Sequence, residues 1–319
     1  MVEGGSTTDT SYFMDVYLNE NDTIKEVRQT VIPPLHVPCY GSFTISYQDR
    51  MIRGGGRDED DKVLDEVREF DDAIGWRKLP DMIIPRSFAG ACTLRNKIIV
   101  GGGIDSNYKS IDSLEMLRIS TSNNSPMWTR IESSLPNSNL CSPILSPLLG
   151  KIILIEGKLN RRGTYQEDAI NVIYEEDSVG GPYQEDSIGN AASAQRNRVW
   201  EGTLQSNNGI EWKKVQSLRY SRFDCFSVVV DQKMYVFGGV PDGLDRIEVF
   251  DGREWKMGPM LVTKLSTKNA QAVVDNRKRI IITTNYNGII VYNTENGIIK
   301  ICDEYSLDKK RLWYSASTH

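Results

Sequence analysis

At 319 residues and 39% hydrophobic content, the chain is long enough for one large all-β domain or two ordinary ones. A formal net charge of −5 argues against a general nucleic-acid surface and against attraction to anionic membranes. Five cysteines, an odd number with no closely spaced pair, fit a reduced cytoplasmic chain, and neither a signal-peptide pattern nor an apolar run of membrane-spanning length is present.

In chain order, residues 1–10 are expected to be disordered and 11–319 to form a single domain. Residues 11–32 read as two strands, with Val16-Tyr17 matching Val249-Phe250 further on. From there a unit recurs. Its second strand is RMIRGGG (50–56), KIIVGGG (97–103), KIILIEG (151–157) and KMYVFGG (233–239), and a worn fifth copy is RIIITTN (279–285). A strand precedes each: SFTISYQ, AGACTLR, SPILSPL, CFSVVVD and AQAVVDN. Another follows: VLDEVREFDD, IDSLEMLRIS, NRVWEGTLQ, LDRIEVFDG and NGIIVYNTEN. In the first four copies the last strand carries a tryptophan, Trp76, Trp128, Trp212 and Trp255, at successive spacings of 52, 84 and 43. The fifth has GIIKICDE in that place. RLWYSASTH at the C-terminus offers one more strand, centred on Leu312 to Ser315.

Each unit therefore reads as four short strands, the second apolar throughout as in a strand buried on both faces. A lone four-stranded sheet cannot cover its own faces, and radial stacking covers them while leaving only short edges. Glycine pairs permit positive φ and close approach where strands crowd, and tryptophan fills the widening space outside.

These features resemble a kelch-repeat β-propeller, whose repeat has a double glycine after its second strand and a tryptophan in its fourth. The matching positions are Gly55-Gly56, Gly102-Gly103, Glu156-Gly157 and Gly238-Gly239 with the four tryptophans, over residues 35 to 305. The expected fold is all-β, with about six four-stranded blades in a ring closed by the N- and C-terminal strands.

The resemblance implies that ligands meet the loops between second and third strands and the loops leading into first strands. Arg86-Ser87-Phe88 and Arg222-Phe223-Asp224 occupy matching lead-in slots, and Arg57, Tyr108 and Asp242 lie in loops of the first kind; all are candidate partner contacts. An arginine beside an aromatic can grip a carboxylate and stack at once, which favours an acidic peptide. Equally, such arginines can hydrogen-bond carbonyls of the neighbouring blade as structural glue. The segment 158–198 is a long loop insertion whose 165–190 stretch has seven acids and no lysine or arginine. It reads as a solvated acidic flap.

Catalytic chemistry is poorly supplied. The chain has two histidines, His36 and His319, and no G-x-S-x-G or phosphate-loop motif. No metal site and no cofactor are expected. The function expected is a non-enzymatic protein- or peptide-binding module, a substrate-recognition or cytoskeletal adaptor acting as a monomer, with neither nucleic acid nor membrane as partner. The alternative is a kelch-type sugar isomerase, sialic-acid-epimerase-like, with Arg and Glu in the channel.

Overall fold

The computed structural model describes residues 2–3, 11–33, 37, 39–48, 50–119, 125–159, 198–220, 222–223, 225–241, 245–261, 271–283 and 288–302. They form 27 strands and no helix. β1 (Val2–Glu3), β2 (Ser11–Leu18) and β3 (Ile24–Ile32) make a three-stranded antiparallel sheet. Blade one is β4 (Phe43–Tyr47), β5 (Arg50–Gly54), β6 (Val67–Asp71) and β7 (Gly75–Leu79). Blade two is β8 (Gly90–Leu94), β9 (Lys97–Gly101), β10 (Ser113–Arg118) and β11 (Met127–Ser134).

The short β12 (Leu140–Cys141) leads into blade three, which has β13 (Ile144–Leu148) and β14 (Lys151–Ile155), then β15 (Lys158–Leu159) outside the sheet, then β16 (Val199–Leu204) and β17 (Ile210–Lys214). Blade four repeats this plan: β18 (Arg222–Phe223), β19 (Phe226–Val230), β20 (Lys233–Phe237), β21 (Val240–Pro241), β22 (Arg246–Phe250) and β23 (Trp255–Met260). Blade five is β24 (Gln271–Val274), β25 (Arg279–Thr283), β26 (Ile289–Asn293) and β27 (Ile299–Cys302). β12 pairs with β15, and β18 with β21, so the chain entering a blade is laced to the chain leaving its second strand.

The core lies between blades. In β9, Ile98 and Val100 join the cluster shared with blade one, whereas Ile99 joins the cluster shared with blade three. The period-two alternation of a strand thus feeds two cores at once, which explains its unbroken apolar run. Equivalent clusters join blades three to four, four to five, and five to the N-terminal sheet, the last through Met14, Val16 and Leu18 against Ile281, Ile289 and Val291. First strands of successive blades neighbour one another, as Ser146 Oγ to Ser227 Oγ at 2.5 Å illustrates. This radial array is a β-propeller.

One expectation is corrected. The described residues form five complete four-stranded blades, close to the six expected, and the N-terminal sheet beside them has three strands. Its third strand comes from Val2–Glu3, within the segment expected to be disordered, because Val2 pairs with Tyr12 and Glu3 with Ser11. The proposed C-terminal strand lies outside the described residues. Between the N-terminal sheet and blade one, Trp76 Nε1 donates to Pro33 O at 3.1 Å.

The double glycines behave as their sequence context requires. Gly56 and Gly103 have φ of 101° and 91°, and a Cβ there would stand 2.7 Å from Tyr40 O and 2.5 Å from Ser87 O. Glu156 is tolerated in blade three because φ is not positive there.

Candidate functional site

In an antiparallel four-stranded blade, the loops between second and third strands lie on the same face as the lead-ins to first strands. Arg86 and Arg222 are on that face by backbone, but both side chains are 0% exposed. Arg86 donates from Nη1 to Gly102 O at 2.8 Å and Ser113 O at 3.0 Å, and from Nη2 to Glu115 Oε1 at 2.7 Å. Arg222 donates in the same pattern to Gly238 O at 2.9 Å, Arg246 O at 3.1 Å and Glu248 Oε1 at 2.8 Å. Each glutamate, itself fully buried, also accepts two backbone N–H groups, Ile83 and Ile84 for Glu115, Arg219 and Tyr220 for Glu248. Burial pulls the Arg86 guanidinium below the ordinary arginine value, with Glu115 pulling the other way.

These arginines are therefore struts, tying a lead-in to the second and third strands of its own blade. They are closed to a partner's carboxylate, which corrects the surface role expected for them. Sequence reading missed Glu115 and Glu248. A signal was present: where the lead-in slot is arginine, the second residue along the paired part of the third strand is glutamate. In blade three the slot is Leu140 and that position is Trp200, whose Nε1 donates to Glu156 Oε1 at 2.9 Å instead.

Ser87 is buried too, accepting from Arg57 Nε at 3.2 Å and donating to Ile104 O at 3.4 Å. Phe88 is half-buried with φ of 55°, and it links successive lead-ins: its N–H donates to Gly41 O at 2.6 Å and its carbonyl accepts from Ser142 N at 3.1 Å. Its ring meets Tyr40 edge-on at 6.2 Å. The Phe223 side chain, Asp224, Asp242, both histidines and residues 160–197 of the insertion lie outside the described residues.

Arg57 and Tyr108 are brought together. Residues 58–62 and 105–109 are equivalent loops: Asp58 N donates to Lys62 O and Asp61 N to Asp58 O, and Asp105 N to Lys109 O and Tyr108 N to Asp105 O. Asp58 and Asp105 each turn Oδ1 back onto two loop N–H groups, the asparagine-type turn such sequences favour. Arg57, fully buried, bonds Asp61 O at 3.0 Å in its own loop and Asp105 O at 2.5 Å in the next, and its guanidinium lies 4.0 Å from the centre of the Tyr108 ring. Asp61 accepts from Tyr40 OH at 2.7 Å and from Tyr108 OH, and pairs with Arg57 at 3.1 Å. Burial raises the Asp61 pKa, but the two hydroxyls and Arg57 outweigh it and hold the carboxyl below its ordinary value. The two loops are thus one clamped platform, with Glu59, Asp60, Ser106, Asn107 and Lys109 exposed on it.

Among the described residues no cluster of His, Cys, Asp and Glu has the arrangement of a metal site, and no helix is long and apolar enough to cross a membrane. No protein-family profile matches the chain. A stretch of 73 residues is 33% identical to Kelch-like protein 41b of Danio rerio, spanning 23% of this chain and 12% of that protein. A solved structure, that of YjhT, superposes with a TM-score of 0.62 at 12% identity, covering 94% of this chain and 96% of its own. Repeat, radial array and comparisons agree: the chain folds as a kelch-type β-propeller.

Proposed function

We propose that the chain is a protein-recognition module whose partner docks across the clamped loops 58–62 and 105–109, as a monomeric propeller in the cytoplasm. One observation carries this reading. Arg57 welds two loops from different blades into a rigid surface, so a partner meets side chains already positioned, and little ordering entropy opposes binding. A catalytic role for Arg57 is not needed to account for its contacts. A sugar-isomerase reading would require an Arg and Glu open to the channel, and the Arg86–Glu115 and Arg222–Glu248 pairs are sealed at 0% exposure. The adaptor role rests on the fold alone.

The test uses the full chain as bait in extracts of its own cell, beside a Glu59→Arg/Asp60→Arg variant of unchanged melting temperature. At least one protein is expected to be retained by the wild type and lost with the variant. Identical retained sets, or turnover of a sugar unaffected by these loop changes, would overturn the reading.

A further inference from the structure

The opposite face, formed by the hairpins between first and second and between third and fourth strands, carries an independent feature. The second strand of every blade begins with a cation: Arg50, Lys97, Lys151, Lys233 and Arg279. The facing position on the third strand, counted along the register, is Asp71 in blade one, Thr203 in three, Asp251 in four and Asn293 in five. Three of these cations meet carboxylates: Arg50 with Asp71 at 3.3 Å, Lys151 with Glu201 at 2.6 Å, and Arg279 with Asp275 at 2.6 Å and Asp22 at 3.1 Å.

Blade two departs. Lys97 is paired in register with Arg118, a second cation, and Arg95 stands in the adjoining turn. Like charges directly opposed across an antiparallel pair destabilise it. Partial burial lowers the Lys97 pKa, and Arg118 and Arg95 lower it further. Arg118 reaches across to Asn208 Oδ1 at 2.8 Å in the hairpin of blade three. Met127, opposite Arg118 in register, is 65% exposed.

We infer that Arg95, Lys97 and Arg118, with Met127 beside them, form a docking surface for a short acidic segment of a partner protein that also presents an apolar side chain. Among the described residues no carboxylate pairs with these three cations, so they hold repulsion that an incoming anion relieves, and a neighbouring exposed methionine suits an adaptable apolar contact. Brevity follows from the net charge of −5, since a long polyanion would be repelled beyond the patch.

Fluorescence anisotropy with a labelled peptide of alternating glutamate and leucine, titrated with the full chain, tests this. Saturable binding that weakens with salt is expected, reduced about tenfold by Arg118→Asp. Arg95→Asn should weaken it too, and because asparagine accepts the positive φ of that turn, this variant serves if the first does not fold. Glu59→Arg/Asp60→Arg should bind like the wild type, separating this surface from the loop platform. Absence of binding, equal binding by Arg118→Asp, or stronger Arg118-dependent binding of single-stranded DNA or phosphatidylserine vesicles would overturn it.

Discussion

Blades two and four solve one problem in one way, and blade three solves it in another. In the first two a lead-in arginine crosses to a third-strand glutamate; in blade three leucine and tryptophan fill those slots, and the acid has moved to the place of the first glycine. Three positions change together, so they behave as one structural unit. Repetition in blades two and four therefore marks a buried strut, and blade three shows that a different set of residues can fill the same three places.

The largest effect that breaks this comparison should come from Glu115→Ala or Glu248→Ala. Each strands a buried guanidinium and two N–H groups, so each should cost about 3–5 kcal/mol in denaturant unfolding. Trp200→Phe in blade three strands no guanidinium and should cost markedly less, about 1–3 kcal/mol, because it leaves Glu156 without its donor. A similar contrast separates the tryptophans. Trp128 Nε1 donates to Pro80 O at 2.8 Å and Trp255 Nε1 to Gln216 O at 2.8 Å, whereas Trp212 Nε1 is buried without an acceptor. Trp128→Phe should therefore cost about 1 kcal/mol more than Trp212→Phe, measured as a difference in unfolding free energy.

The fold was legible because its signals are local and repeated: apolar second strands, glycines of positive φ, and a tryptophan at the same register opposite Phe70, Leu117, Gly202 and Phe250. The site was less legible. Arg86 and Arg222 stood in loops of the right kind, but whether a loop arginine turns outward or inward depends on a partner about 26 to 29 residues away, Glu248 or Glu115. Nor could sequence show that Arg57 would bridge to Asp105, since that contact exists only once two blades are side by side.

Smaller effects sharpen the remaining contrasts. The Asp61 carboxyl titrates below its ordinary value, so the stability it contributes is present above the unfolded pKa of about 4 and is lost as pH falls through the lower folded value. Asp61→Asn should flatten that part of the melting-temperature profile at acid pH, with little change in its shape at neutral pH. Smallest is Arg118→Asp, which restores to blade two the residue found at Asp71. It should stabilise the blade by about 0.2–1 kcal/mol in the same unfolding assay.

The central claim, that the repeated arginines are struts, is tested most directly by a double-mutant cycle on Arg222 and Glu248, using Arg222→Met, Glu248→Leu and the pair together in denaturant unfolding. Each single change should destabilise by several kcal/mol, about 3–5, and the double change by less than their sum, since both buried charges then leave together. Additive and small single effects, with Arg222→Met weakening partner capture at unchanged stability, would contradict it and return the arginines to the binding surface.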